Sequence, residues 1–260
     1  MAFERRSLGG RAHALVSTTL ERAGFAAAFS ERGGGQSVTP FESLNVSYTV
    51  GDDPAAVAAN RGLLIAGLSV PPFAVAGLVH GRRIGRIGAK RAGSGFVEAS
   101  GVVPEVDGLV TGTLSCPIAV TWADCVPIVL ASPAERRVAC VHAGWRGIAA
   151  GIVSSAARAF LTPADVRVAV GPAIGPCHYE VGEDVALAVA SASPAGAVTK
   201  RRRGKLYLDL VATVRAILRE AGIRTVEDTG LCTACESKRF FSHRRDRVTG
   251  RHAAVAMRLS

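Results

Sequence analysis

Short apolar runs of strand character alternate with helix-forming runs along the whole chain, and no Pro- or Ser-rich linker interrupts them. That alternation constrains the fold more than any single residue does. Such segments bury their apolar faces only in layers, with sheets and helices covering one another. Several strand-like runs also follow each other directly, at 118–122, 126–130 and 137–141, so hairpins accompany the crossovers. The expected fold is α/β of the mixed α+β kind, a single domain with a mixed β-sheet core flanked by helices. With 260 residues, 48% of them apolar, the chain can bury such a core without disulfide staples. Residues 1–24 are set apart as an N-terminal arm, expected to be mobile, and residues 25–260 as the folded domain.

Local signals place the elements. Residues 24–30 (GFAAAFS) predict a strand that enters a glycine loop at 33–35. Asp53-Pro54 predicts a helix start, since the aspartate caps free N–H groups and proline fits the first turn. That helix runs to about Ala66, with Val57, Leu64 and Ile65 near one face and Arg61 off it. Residues 73–79 form a short apolar strand ending at His80-Gly81. Helices are expected at 148–160, from Asp184 and at 210–221; strands at 166–170 and 253–259; and mostly loop over 226–241.

The formal charge of +10 raises the question of nucleic acid. The basic residues are scattered, and the two local clusters, at 82–90 and 200–205 (KRRRGK), are not interleaved with aromatics. A solvated face is the expected meaning, with no nucleic-acid partner, while the charge favours small anionic substrates. The N-terminus lacks a continuous apolar h-region, and no apolar run reaches the roughly 18 residues of a membrane span. A cytoplasmic protein with no membrane partner, monomer or homodimer, is expected.

His80, Cys125 and His142 each stand at the end of, or a break in, an apolar strand. Strand ends can converge on one edge of a sheet whatever their separation in sequence. Two imidazoles and a thiolate suit zinc, and three protein ligands leave a fourth position open for chemistry. The spacing alone accommodates a buried core thiol with two strand-ending histidines equally well. Asp124 precedes Cys125 and by strand alternation points away from it. It is expected to hydrogen-bond a ligand histidine or a loop amide rather than to ligate. His142-Ala-Gly-Trp-Arg146-Gly feeds a helix start, where free N–H groups and Arg146 would cradle an anion. Residues 240–246 (FFSHRRD) gather side chains that can stack a base and hold a phosphate. Cys232-Thr-Ala-Cys235 has no second pair in sequence and is read as packing or peripheral; His13, His178 and His252 show no partner.

These residues carry a resemblance to a known family. Ser43-Leu-Asn45, Asn60-Arg61, Val79-His80-Gly81, Ala123-Asp-Cys-Val-Pro127, His142-Ala-Gly-Trp-Arg-Gly147, Gly171-Pro-Ala-Ile-Gly175, Tyr179-Glu-Val-Gly182, Leu208-Asp-Leu210, Cys232-Thr233, Phe241-Ser-His-Arg-Arg-Asp246 and Thr249-Gly-Arg251 occur in order over residues 24–258. In these the chain resembles the YfiH-type proteins, labelled laccase-domain or polyphenol oxidases and regarded as zinc-dependent purine nucleoside phosphorylases. The resemblance implies a mixed α/β fold, also likened to toxin deamidase domains. It assigns His80, Cys125 and His142 to the metal and the catalytic site, and makes residues 25–260 the single catalytic domain. Two departures stand out: Leu78 where the family usually has Gln, and His243 where it often has Tyr.

The activity so implied is phosphorolysis of adenosine, inosine or guanosine to base and ribose-1-phosphate, with adenosine deamination as a companion. Its partners are purine nucleosides and inorganic phosphate, and its cofactor is one Zn²⁺ per chain. Arg61, Arg146 and Arg244 are the candidates for holding phosphate, and Asn45 for sugar hydroxyls. The runner-up is a Cys/His amidase or hydrolase acting on a cell-wall precursor or another amide, with Cys125 as nucleophile and His142 as base. A copper-dependent polyphenol oxidase ranks lower. It needs histidines in His-x-His pairs for a copper cluster, whereas this chain has six histidines and no such pair, so copper here would be adventitious.

Overall fold

The computed structural model describes residues 2–192 and 197–260. The chain opens with strands β1 (Phe3–Gly9) and β2 (Ala12–Ser17), helix α1 (Thr18–Arg22) and β3 (Phe25–Ser30). Helix α2 (Pro54–Leu68) follows, then β4 (Ala74–Val75), β5 (Ile84–Arg86) and β6 (Gly108–Thr111). The centre holds β7 (Ile118–Trp122), β8 (Val126–Ser132), β9 (Arg137–Ala143) and helices α3 (Trp145–Ala150) and α4 (Ile152–Ala157). Beyond it lie β10 (Arg167–Val170), β11 (Glu180–Val181), α5 (Glu183–Ala190), β12 (Thr199–Arg202) and β13 (Lys205–Leu208). The last elements are α6 (Leu210–Glu220), β14 (Thr225–Asp228), α7 (His243–Asp246) and β15 (His252–Arg258).

Two six-stranded sheets form the core, in the orders β1-β2-β3-β15-β7-β4 and β14-β10-β8-β9-β6-β5; β11-β13-β12 make a small third sheet. Both large sheets are mixed, with β4–β7, β5–β6 and β10–β14 parallel. Alternation along each strand decides which layer each side chain enters. On β15, Ala254 and Ala256 join Phe29, Val120 and Trp122 between the two sheets, together with Val129 and Cys140 from the second sheet. Ala253, Val255 and Met257 face the other way, toward Leu64 of α2. On β8, Ile128 and Leu130 pack against α3, α4 and α6 through Ile148, Val153 and Val214. The layers therefore run α2, first sheet, second sheet, helices. Strands buried on both faces read as continuous apolar runs, which is why β7, β8 and β9 are visible in sequence.

Residues 3–17, set apart in the sequence as an arm, pair as strands into the first sheet, β1 on β2 and β2 on β3. Glu31 fastens this hairpin: its nearly buried carboxylate accepts from Arg5 Nη2 at 2.9 Å and Arg239 Nη2 at 2.6 Å. Burial pushes that carboxyl up, but the two guanidinium groups bring it below its ordinary value. Because Arg5 and Arg239 both reach water, Glu31→Ala should cost about 1–3 kcal/mol of unfolding free energy rather than the larger penalty of a fully buried pair. An unchanged urea midpoint would mean that strand pairing alone holds the hairpin.

The expected helix at 148–160 is two short ones, broken where Gly151 takes φ +93°, a left-handed conformation that ends α3. The basic run at 200–205 forms the exposed β12–β13 hairpin, where Lys205 pairs with Glu180 and Arg201 with Glu183. Among the described residues no helix is long and apolar enough to cross a membrane.

Candidate metal centre

The β8–β9 register places Val126 opposite Ala143 and Pro127 opposite His142, so Cys125 and Gly144 extend the ladder by one step. A Cβ on Gly144 would lie 2.8 Å from Cys125 Sγ and 3.3 Å from His80 Cδ2. Glycine is required there for the thiol and the imidazole to approach. His80 arrives from the turn beyond β4 with φ +58°, and Asp124 makes the turn between β7 and β8 with φ +85°. Left-handed non-glycine residues of this kind are uncommon and cluster at functional sites. The ligand atoms of His80, Cys125 and His142 lie within 4.8 Å of one another, so this group can hold a metal ion.

Asp107, which no sequence motif marks, organises the centre. Its fully buried carboxylate accepts from the backbone N–H of His80 at 2.8 Å, of Gly81 at 2.7 Å and of Val79 at 3.3 Å. His142 Nδ1–H donates to the same carboxylate at 3.2 Å, which leaves Nε2 free as a ligand atom. Its sequence signal is slight, since Asp107 is one of two acidic residues, with Glu105, in the otherwise apolar stretch 102–110. Burial pushes the Cys125 thiol up, but the His142 charge and hydrogen bonds from His142 and His80 bring it down to about 6. Burial lowers His142, and the Cys125 thiolate with Asp107 lifts it to about 9. Without a metal the two form a thiolate–imidazolium pair near neutral pH.

Asp124 hydrogen-bonds a backbone amide in the first turn of α7 and not a ligand histidine. One oxygen accepts from Arg244 N–H and the other from Thr233 Oγ1, both at 2.6 Å. Arg244 stacks over Tyr179 at 4.9 Å from the ring centroid, and its Nη1 donates to Glu180 O at 2.7 Å. Tyr179 is a further site residue not singled out from sequence. Burial and the Cys125 charge push its phenol up to about 12, and Arg244, Asp124 and Arg146 all lie within its electrostatic reach. Arg146 is exposed and stacks on Trp145 at 4.4 Å.

Two candidates are already engaged within the protein. Asn45 is fully buried; its amide donates to Ser47 O and Asp52 Oδ2, and its oxygen accepts from the N–H of Ser47 and Arg251. Every hydrogen-bonding position is taken, so nothing remains for a sugar hydroxyl. Arg61 lies on the buried face of α2 with Val57 and Leu64, not off it. Its guanidinium donates to the carbonyls of Val46, Gly95 and Phe96 and stacks on Tyr48. It binds segments of the protein together, at the wall of a cavity of about 250 Å³ that Leu78 also lines.

The 240–246 segment is not a stacking loop. Phe240 and Phe241 are fully buried, and 243–246 form α7, capped by Ser242 Oγ. His243 is exposed, its Nδ1–H donating to Arg247 O at 2.7 Å. Cys232, Cys235 and His178 are not isolated either: with Cys177 they make a second group able to hold a metal ion. The first signal for it, a Cys-x-x-Cys, was read as packing because its partners lie more than fifty residues away.

Residues 26–259 match the family described as multi-copper polyphenol oxidoreductase laccase. Purine nucleoside phosphorylase YlmD of Geobacillus stearothermophilus is 38% identical over 245 residues, 89% of each chain. Purine nucleoside phosphorylase SCO2081 of Streptomyces coelicolor is 40% identical over 231 residues, 86% of this chain and 92% of that one. The crystal structure of the Geobacillus YlmD superposes with a TM-score of 0.91 at 35% identity, covering 100% of this chain and 99% of that one. Bacillus licheniformis YfiH superposes at 0.89 with 32% identity, over 97% and 98%. With the match spanning almost the whole chain and relatives above 35% identity over most of it, this chain belongs to the multi-copper polyphenol oxidoreductase laccase family, the YfiH-type proteins.

Proposed function

We propose that this protein is a zinc-dependent purine nucleoside phosphorylase, converting adenosine, inosine or guanosine and inorganic phosphate into the free base and ribose-1-phosphate, with adenosine deamination as a companion activity. The observation that carries this reading is the convergence of His80, Cys125 and His142 around Asp107, beside Arg244 and Tyr179. The names of the curated relatives support the substrate class. The donor set fits zinc: two imidazoles and one thiolate, with a carboxylate fixing one imidazole's tautomer. Bound there, the ion would supply Lewis acidity at a position that three protein ligands leave open.

Phosphorolysis breaks the C1′–N9 bond and joins C1′ to a phosphate oxygen. The chain must therefore hold an anion against the sugar while the purine leaves. Arg244 suits that hold, because Asp124 and Glu180 fix its backbone and one nitrogen while its other N–H groups stay available. Arg146, exposed and stacked on Trp145, offers a second cation. The Tyr179 phenol stays protonated at neutral pH and can donate a hydrogen bond. A cytoplasmic setting suits the site, since thiolate ligands persist in a reducing compartment.

Inosine with phosphate should yield hypoxanthine and ribose-1-phosphate, with product depending on both zinc and phosphate. Arg244→Ala should lower kcat/KM by about 1.5–3 kcal/mol, the scale of a charge-assisted hydrogen bond; a change under about half a kcal/mol would make Arg244 a surface residue. The thiolate–imidazolium pair favours one rival, a cysteine hydrolase with Cys125 as nucleophile. That enzyme would cleave an amide after chelation and release no base from any purine nucleoside when loaded with zinc. The phosphorylase should show the reverse.

A further inference from the structure

We propose that Cys177, His178, Cys232 and Cys235 bind a second zinc ion in a closed structural site that staples two loops beside the candidate metal centre. The four residues come from two loops that leave the same sheet edge. β10 and β14 pair in parallel, Val170 beside Asp228, and the bridge between Ala173 and Cys232 carries the pairing beyond the strands. Cys177 and His178 close the loop after β10; Cys232 and Cys235 lie on the loop after β14.

The spacing of the ligand atoms is that of a tetrahedron around zinc. All four lie within 4.8 Å of one another. Cys177 Sγ and Cys235 Sγ are 3.4 Å apart, and His178 Nδ1 is 3.4 Å from each of them and 3.8 Å from Cys232 Sγ. With Zn–S near 2.3 Å and Zn–N near 2.0 Å, tetrahedral edges come to about 3.5–3.8 Å. Gly175 N–H also donates to Cys232 Sγ at 3.2 Å, a contact that steadies a thiolate ligand. A Cβ on Gly175 would stand 3.2 Å from Cys177 Sγ and 3.3 Å from Cys232 Cβ, so glycine keeps that approach open.

Apolar packing does not account for the group, because Cys177, His178 and Cys235 are exposed. Three soft sulfur donors and an imidazole select zinc over magnesium or calcium. Four protein ligands leave no open position, so the ion is structural. Thr233, between the two cysteines of the second loop, donates to Asp124, and Asp124 in turn accepts from Arg244 N–H. Tyr179, on which Arg244 stacks, follows His178 directly. The staple thus fixes both sides of the Arg244–Tyr179 pair. It stands whether or not the protein acts on nucleosides.

Metal analysis of protein purified without chelator, together with X-ray absorption at the zinc edge, tests the site. About two zinc ions per chain are expected, with a mean of about two sulfurs per zinc, because one site holds one thiolate and the other three. The double variant Cys177→Ser/Cys235→Ser, and separately His178→Ala, should fall to about one zinc while Cys125→Ala loses the other ion. The sulfur count on the unaltered protein decides the matter even if a variant fails to fold. A single zinc with about one sulfur, removed entirely by Cys125→Ala, would overturn the proposal. So would iron or copper at the second group, or a Cys177–Cys235 disulfide in protein purified with air excluded.

Discussion

Cys125→Ala should empty the His80/Cys125/His142 centre of metal, and Asp107→Asn should weaken metal binding or activity there by about 10–100-fold. The first effect follows from charge, because the thiolate is the only anionic ligand of the three. The second follows from the four donors gathered on one carboxylate: His142 Nδ1–H and the amides of Val79, His80 and Gly81. An asparagine there would turn an N–H₂ toward one or more of these donors, releasing the His80 turn and the His142 tautomer together. Asp124→Asn should differ in kind. Its oxygens serve Thr233 and Arg244 rather than a ligand histidine, so metal content should hold while the nucleoside or phosphate KM rises. Equilibrium zinc titration of the three variants separates these roles. Wild-type zinc affinity in Asp107→Asn would remove Asp107 from the support of the centre, and zinc retained at the centre in Cys125→Ala would remove Cys125 as a ligand.

Acid should destabilise this fold through His252. The ring is fully buried among Trp122, Phe240 and Phe241, with centroid distances of 4.9, 5.6 and 4.9 Å. Its Nε2 accepts from Phe241 N–H at 2.8 Å. Burial, reinforced by the charge of Arg32, holds it neutral down to about 3, against an ordinary 6.5. Between those values the unfolded chain binds a proton that the folded chain refuses. Stability contributed by the neutral ring is therefore complete above pH 6.5 and is lost as pH falls toward 3, by up to about 1.4 kcal/mol per pH unit and about 4–5 kcal/mol in all. The Cys125–His142 pair does not mask this, because its two shifts have opposite signs and nearly cancel from about pH 6.5 to 9. Carboxylates such as Glu31 and Asp107, held below their ordinary values, add their own loss only below about pH 4.5. Urea unfolding between pH 6 and 4.5 is the window in which His252→Gln should flatten the slope. An equal slope in the variant and the natural protein would assign the acid lability elsewhere.

The strands at the heart of both sheets are legible in the chain because each is buried on two faces. The runs at 118–122, 126–132 and 137–143 are apolar but for Thr121, Ser132, Arg137 and His142, and Asp53-Pro54 marks the start of α2 by capping chemistry that is local. β1 was not legible: Glu4, Arg5 and Arg6 make it polar, and only pairing with β2 extends it. Gly151 hid the break in the helix after β9, since a glycine within an apolar run does not reveal its φ. Arg61 shows the limit of periodicity. Its spacing from Val57 and Leu64 fits the buried face of α2, but the carbonyls of Val46, Gly95 and Phe96 that satisfy its charge come from segments elsewhere in the chain.

The same division runs through the site. The residue types that can ligate, His80, Cys125 and His142, stand at strand ends where a local reading finds them, and the family motifs point to the same three. Asp107 escaped because its meaning is wholly relational; an acidic residue in an apolar stretch becomes a positioning residue only when the 79–81 turn crosses β6 and β9. The second cysteine group escaped for a like reason. A lone Cys-x-x-Cys carries half a site, and its other half comes from the loop beyond β10 through the parallel pairing of β10 with β14. Donor chemistry, helix caps and two-faced burial are properties of neighbouring residues, so the sequence alone determined them. Which distant donors meet was left to register and sheet order, because long-range pairing is settled by the packing of the whole core.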